Sequence, residues 1–237
     1  MGMKMRQLFS AHARAAQRSA TQTDSEIYLY CLDLDAGTLE SASALLAADE
    51  RARAARFRFD LHRQRYLRGR AALRRVLGQH LGIAPQRVAL RTLQFGKPVV
   101  DPRYGLAFNL AHSEQRAILA VGRGRELGVD IELLRAVTHR EALAEQHFSS
   151  AERLAIRHAP LEQRDRLFFN CWTRKEAYLK MLGAGIARDL TAINVGVGND
   201  SSADVEALLH TIAMPDGAVA TIASNRPWAK LHFSEQR

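Results

Sequence analysis

Cysteine is scarce in this chain. Cys31 and Cys171 are the only two, they lie far apart, and no CxxC pair occurs. That excludes a disulfide-stapled framework and a cysteine-based zinc site, and it fits a reducing, cytoplasmic compartment. Long apolar runs are missing too. A membrane-spanning helix needs about 20 consecutive apolar residues, whereas the longest runs here are of strand length. Acid is absent from residues 1–23, which carry Lys4, Arg6, Arg14 and Arg18. The same segment lacks the apolar centre of a secretion signal. A transit peptide, a vector-derived leader and a flexible start share its composition, so residues 1–24 are set aside from the fold as a flexible N-terminal segment.

What is present is a basic chain of 237 residues with a formal net charge of +9. Such a field favours an acidic partner, whether nucleic acid, anionic membrane, phosphorylated ligand or acidic protein, without choosing among them. Between Arg51 and Arg75 stand ten arginines against one acid, Asp60. A merely solvated helix face would normally mix both signs. The length accommodates one large domain or two small ones.

Hydrophobic periodicity and turn residues divide the chain into elements. Strands are expected at Ile27–Asp33, Arg87–Leu93, Leu106–Leu110, Arg116–Val121, Leu127–Glu132, Ile193–Val197, Val205–Ala213 and Ala218–Ala223, with a short one at Lys230–Phe233. Helices are expected at Ser43–Phe57, Asp60–Leu81, from Ser149 to about His158, and at Leu161–Leu182. Ser149 and Glu152 have the spacing of a capping box, and Gly183 that of a helix stop. Gly69, inside the first long helix, marks either a close approach or an incidental glycine. The loop Gly96-Lys97-Pro98 follows the second strand. Ala111-His112-Ser113-Glu114 reads as a tight connection between two strands.

The two halves repeat one order: strand, shorter helix, long helix, three strands. Ala48-Asp49-Glu50-Arg51 is echoed by Ala151-Glu152-Arg153, and Val76-Leu77-Gly78 by Met181-Leu182-Gly183. The offset suits a duplicated small domain rather than a solenoid. The expected architecture is therefore α+β. Two similar subdomains, 25–125 and 126–237, are related by pseudo-twofold symmetry, each with a small, mostly antiparallel sheet packed on a long helix. A cleft between them is the default ligand site.

Two stretches point to chemistry. In the second long helix Trp172, Glu176 and Lys180 fall on one stripe at i, i+4 and i+8. In Gly128-Val129-Asp130-Ile131-Glu132 the two carboxylates share one face of a strand, while Val129 and Ile131 pack behind. Unpaired carboxylates at that spacing repel, and a hard divalent cation relieves them. Glu176 can supply a third oxygen. The arginines of 51–75, Lys97 and His112 are the groups a diphosphate would need beside such an ion.

The order Gly96-Lys97-Pro98, Phe108–Ser113, Gly128–Glu132 and Trp172–Lys180 resembles the 4′-phosphopantetheinyl transferase superfamily, in its long, single-chain Sfp-type branch, from about residue 27 to residue 223. The family's G-[VI]-D-x-E strand and its W-[STA]-x-K-E-[AS]-x-x-K helix are both matched at every position. The resemblance implies transfer of the 4′-phosphopantetheine arm of coenzyme A to a serine of an acidic acyl or peptidyl carrier protein. It implies Mg²⁺, or Mn²⁺, on Asp130, Glu132 and Glu176. Lys97, Pro98 and His112 would hold or shape the coenzyme A phosphate site, with Arg53 and Arg65 at the nucleotide end. Lys180 would stand near the metal and diphosphate, or pair with Glu176. Glu176 is the candidate base, directly or through water. Ala111 replaces a common serine, and Glu50 stands where some members have lysine. The implied protein is a monomer that binds neither nucleic acid nor membrane. Arg135, His139 and Arg140 would meet the carrier. The rival reading is a metal-dependent nuclease, motivated by the charge. No zinc-finger spacing or RNP-like motif supports nucleic-acid recognition.

Overall fold

The computed structural model describes residues 24–183, 189–198, 204–215 and 217–236. The N-terminal segment singled out above lies outside them, apart from Asp24, as does Asp216 of the Pro215–Gly217 turn. The chain is mixed α+β. In order it runs β1 (Glu26–Asp33), α1 (Leu39–Ser43), α2 (Ala48–Ala54), α3 (Asp60–Leu81), β2 (Arg91–Thr92), β3 (Pro98–Val99), β4 (Leu106–Ser113), β5 (Arg116–Arg123) and β6 (Leu127–Leu133). Then come α4 (Arg140–His147), α5 (Ser150–His158), α6 (Leu161–Leu182), β7 (Leu208–Ala213), β8 (Ala218–Ser224) and β9 (Lys230–Gln236).

Strand alternation stacks these elements in four layers. Tyr30, Leu32, Leu119 and Val121 of β1 and β5 meet Leu73, Val76 and Leu77 of α3. The opposite faces of the same strands, with Ile27, Leu29, Ile118 and Ala120, meet Leu127, Val129, Ile131, Ala220 and Ile222 of β6 and β8. On the far side Val219 and Ala223 pack on Phe169, Ala177 and Met181 of α6. The order is helix, sheet, sheet, helix. The first sheet runs β4-β5-β1-β9 and the second β6-β8-β7. Every pairing in them is antiparallel except β1 with β9, which is parallel.

Both long helices lie where periodicity puts them, and each stops on a glycine in the left-handed region, Gly82 (φ 66°) and Gly183 (φ 64°). The capping box of α5 is present: Ser149 Oγ accepts from Glu152 N, and the Glu152 carboxylate accepts from Ser149 N. Other expectations are corrected. The helix expected at Ser43–Phe57 is only Ala48–Ala54, with a separate short helix ending at Ser43, because the Glu50 carboxylate accepts from Ala47 N and restarts the chain at Ala48. The strand at Arg87–Leu93 shrinks to Arg91–Thr92. Ile193–Val197 is a strap rather than a strand. Its Val195 N is taken by Glu152 Oε1 at 2.7 Å and its Val195 carbonyl by Arg174 Nε at 2.7 Å, so side chains satisfy what a ladder would have satisfied. The last strand is longer than expected and crosses to the first sheet. Helix α4 has no periodic signal, since Ala144 is its one buried residue among those described.

Away from the site, His80 at the end of α3 touches Tyr30 Oη through Nε2 at 2.7 Å. Burial, with Arg123 nearby, pulls its pKa from 6.5 to about 4. A lowered base stabilises the fold above its unfolded value, and that stability drains as pH falls through the folded one. Between pH 6.5 and about 4 this histidine is expected to withdraw about 2–3 kcal/mol. His80→Gln, which never charges, should flatten that part of the thermal-midpoint profile. An unchanged slope would place the acid sensitivity elsewhere.

Candidate active site

The site has a basic part and an acidic part. The basic part is a cleft of about 400 Å³ between α2, α3, the β2–β3 hairpin and the end of β4, with Arg53, His62, Arg65, Pro98 and His112 in its lining. Arg65 projects from α3, its guanidinium bonded side-on to Asp35 (Nε–Oδ1 and Nη2–Oδ2, both 2.9 Å) and through Nη1 to Glu114 Oε2 at 3.2 Å. Arg53 lies over the Tyr66 ring, 5.6 Å from its centroid. Glu50 also lines the cleft, but its buried carboxylate is neutralised by Arg70 Nε and Arg74 Nε, each donating at 2.6 Å.

The acidic part lies between β6 and α6. From Phe168 to Met181 the helix is buried except at Trp172, Glu176 and Lys180, the stripe that the spacing requires. Gly128 brings strand and helix together. A side chain there would run into the Ala177 carbonyl and the Met181 amide nitrogen. Asp130, two residues on, therefore faces α6, and Lys180 Nζ donates to its Oδ1 at 2.6 Å. Lys180 thus pairs across to the strand, not along the helix to Glu176. The other oxygen, Asp130 Oδ2, is buried without a hydrogen-bond partner. Burial pushes the Asp130 carboxyl up to about 7; Lys180 opposes that rise, while Glu176 and Glu132 add to it. Glu132 accepts from Ser113 Oγ at 2.8 Å and from the exposed Arg135 at 3.4 Å.

Strand β4 joins the two parts by alternation. Asn109 and Ser113 face β6, where Asn109 Oδ1 accepts from Val129 N at 2.8 Å. His112 faces the cleft. It belongs to the strand, not to the connecting loop expected for it. The desolvation around its ring, then Lys180 and Arg65, hold His112 below its ordinary value, with Glu132 opposing. Its ring is therefore neutral at neutral pH, and it feels both halves of the site.

Two groups of expected site residues are engaged by other protein groups. Among the described residues no three His, Cys, Asp or Glu side chains stand in metal-holding geometry. Asp130, Glu132 and Glu176 share one electrostatic neighbourhood, but Lys180 occupies Asp130, while Ser113 and Arg135 occupy Glu132. Lys97 is not in the cleft lining either. Its ammonium donates to Leu127 O at 3.1 Å and Met181 O at 2.9 Å, clipping the hairpin to the C-terminal turn of α6. Two buried cations of the tryptophan motif were not foreseen as structural. Lys175 pairs with Glu152 at 2.8 Å and donates to Leu190 O at 2.8 Å, while Arg174 holds Val195 and Thr211. Of the basic residues after β6, Arg140 is taken by Asp165 and Glu141, while Arg135 stays exposed.

A cleft lined by Arg53, Arg65 and His112, on the same fold as the carboxylates of β6 and α6, has the groups that phosphoryl chemistry needs. The comparisons agree. Residues 126–223 match the model of the 4′-phosphopantetheinyl transferase superfamily, and residues 35–123 that of the 4′-phosphopantetheinyl transferase N-terminal region. The 4′-phosphopantetheinyl transferase HetI of Nostoc sp. (strain PCC 7120) is 38% identical over 212 residues, covering 86% of this chain and 89% of that one. The 4′-phosphopantetheinyl transferase psf-1 of Bacillus pumilus is 30% identical over 178 residues, 75% and 72% of the two chains. A 4′-phosphopantetheinyl transferase of Bacillus subtilis is 26% identical over 184 residues, 78% of each. The chain belongs to the 4′-phosphopantetheinyl transferase superfamily, and it is an enzyme that transfers the phosphopantetheine group. Among the described residues no helix is long and apolar enough to cross a membrane.

Proposed function

We propose that the protein moves the 4′-phosphopantetheine arm of coenzyme A onto a serine of an apo acyl or peptidyl carrier protein and releases adenosine 3′,5′-bisphosphate. The observation that carries this reading is the place of strand β4, whose His112 lines the cleft while the next residue, Ser113, donates to Glu132. Arg65 and Arg53 would hold the nucleotide phosphates, and His112 would donate or accept a hydrogen bond at the diphosphate. Lys97 would shape the wall by fixing the hairpin. Lys180 would neutralise oxygens where charge develops.

The donor set fits a hard divalent cation. Asp130 keeps an orphaned buried oxygen, and its neighbours Glu132 and Glu176 are also carboxylates. Asp130, Glu132 and Glu176 would hold Mg²⁺ or Mn²⁺. When bound, such an ion offsets charge on diphosphate oxygens. Glu176, half-buried on the open stripe, is the candidate acceptor for the serine proton. Arg135, exposed beside Glu132, is placed to meet an acidic carrier. A monomer suffices for this arrangement, since one chain supplies every residue named.

The halves 25–125 and 126–237 are proposed to be pseudo-twofold copies. Support comes from the two 22-residue helices and from a buried glutamate of the preceding short helix on each, Glu50 with Arg74 and Glu152 with Lys175.

The test is incubation with coenzyme A, Mg²⁺ and a panel of apo-carriers, read by intact mass. A carrier heavier by one phosphopantetheine, with stoichiometric nucleotide bisphosphate, is expected. Unchanged carriers together with cleavage of DNA or RNA would replace this reading with the nuclease one.

A further inference from the structure

We propose that two carboxylates act on Arg65 in opposite senses: Asp35 holds its guanidinium in position from behind, and Glu114 covers its cleft-facing edge until a phosphate-bearing ligand displaces it. The inference rests on the reading of the cleft as the coenzyme A site.

Guanidinium has five N–H donors in a fixed fork. Asp35 takes Nε and Nη2 side-on at 2.9 Å each, the bidentate geometry that fixes an arginine best. Glu114 takes one donor of Nη1 at the longer distance of 3.2 Å. The edge between Nη1 and Nη2 is therefore the one left for an anion, and Glu114 stands on it. The two carboxylates also differ in place. Glu114 is in the cleft lining and Asp35 is not. The Arg65 side chain is only 13% exposed, whereas that of Glu114 is 65% exposed. The Asp35 side chain is 44% exposed, so what separates the two is geometry: Asp35 makes two short bonds side-on, while the more exposed Glu114 makes a single longer one, the easier to exchange.

The backbone gives independent support. Glu114 sits at the tip between β4 and β5 with φ 50°, one of two non-glycine residues with positive φ among those described. Such turn positions favour glycine or asparagine, and any other side chain there is strained. Leu34 N donates to Gln115 O at 2.7 Å, which ties this tip to the end of β1 just before Asp35. The strained residue is thus held where its carboxylate reaches Arg65. Strain retained at a ligand cleft points to a role for the side chain it presents.

The two assignments have opposite signs. Simple removal of negative charge beside an anion site tightens binding whichever carboxylate is removed. Here only Glu114→Gln should tighten it. Asp49→Asn, which removes a cleft carboxylate making neither of the Arg65 ion pairs, calibrates the plain charge effect. The full chain and each variant would be titrated calorimetrically with adenosine 3′,5′-bisphosphate and with coenzyme A. Glu114→Gln is expected to lower Kd about threefold, more than Asp49→Asn does. Asp35→Asn is expected to raise it about fivefold, because the freed guanidinium must be ordered by the ligand. The KM for coenzyme A should follow the same pattern with kcat at saturation unchanged, a split that loss of folding would not produce. If both Glu114→Gln and Asp35→Asn tighten binding, the cleft senses net charge alone and the proposal falls. If both weaken it, Glu114 is a second anchor and the displacement falls. Should Asp35→Asn not fold, Glu114→Gln and Glu114→Gly must both bind more tightly than Asp49→Asn, or the proposal is lost. A wild-type protein that binds neither nucleotide overturns the reading of the cleft itself; unaltered variants of a binding protein overturn only the roles given to Asp35 and Glu114.

Discussion

Asp130→Asn is expected to lower phosphopantetheine transfer by on the order of a thousandfold while leaving the metal-free fold at least as stable as the wild type. The substitution keeps size and shape, so packing between β6 and α6 is preserved. It removes the charge from a carboxylate that is buried, has one oxygen unpartnered, and shares its surroundings with Glu132 and Glu176. A buried charge is costly unless fully paired, and Lys180 pairs only one of its oxygens. Asparagine removes that cost, and the Lys180 ammonium that loses a partner is a third exposed (32%), so water compensates part of the loss. The same change removes the anionic donor around which a divalent cation would gather. Mg²⁺ or Mn²⁺ should therefore raise the melting temperature of the wild type and not that of the variant, which is linkage to a ligand bound only by the folded state. Melting curves with chelator and with either ion, beside transfer rates, separate the two effects. A variant that retains transfer, or that still gains stability from the ion, removes Asp130 from the site.

The parts of this site that could be read along the chain are those set by local spacing. The stripe Trp172, Glu176 and Lys180 follows from helical period alone, and the structure leaves these three less buried than the rest of the helix around them. The shared face of Asp130 and Glu132 follows from strand alternation, and both long helices follow from apolar period and a terminal glycine. What could not be read depends on partners far away in sequence. Lysine at position 97 looks like a ligand for phosphate because nothing local shows that the end of α6 lies beneath it. Lys180 looks like a partner for Glu176 because i, i+4 neighbours are the local choice, yet Asp130 approaches from another element and is buried, which strengthens its attraction. His112 looks like a loop residue because the turn of β4 into β5 is shorter than its polar text suggests. Strand β9 carries no sign of which sheet it joins, since parallel pairing to β1 is fixed by the packing of two layers. The strap at Ile193–Val197 reads as a strand because Ile193, Val195 and Val197 are β-branched and alternate, and only the buried Arg174, Lys175 and Glu152 take its backbone away from a ladder.

Gly128→Ala is expected to destabilise the protein by about 3 kcal/mol and to lower the activity of the molecules that still fold. The obstacle is backbone on both sides. A Cβ at 128 would meet the Ala177 carbonyl and the Met181 amide nitrogen, which belong to the hydrogen-bonded interior of α6 and cannot swing aside as a side-chain tip would. Strand β6 cannot retreat either, because Leu127, Val129 and Ile131 are at most 3% exposed on its other face, against the first sheet. The helix must lift away or tilt, and the Lys180–Asp130 bond, 2.6 Å long and only two residues along the strand, spans the gap that opens. Glu176 moves with it. Gly69 makes the contrast. It is equally buried within a long helix, but a Cβ there would meet only the tip of Leu34, Cδ2, at 3.4 Å, and an alanine restores about 0.5–1 kcal/mol of helix preference. Gly69→Ala should therefore be neutral or slightly stabilising, which makes that glycine incidental to the fold. Urea unfolding of both variants, with transfer rates normalised to the folded fraction, tests the pair. If Gly128→Ala loses no more stability than Gly69→Ala, the close contact between β6 and α6 does not set the spacing of the carboxylates, and the geometry of the acidic half of the site has another cause.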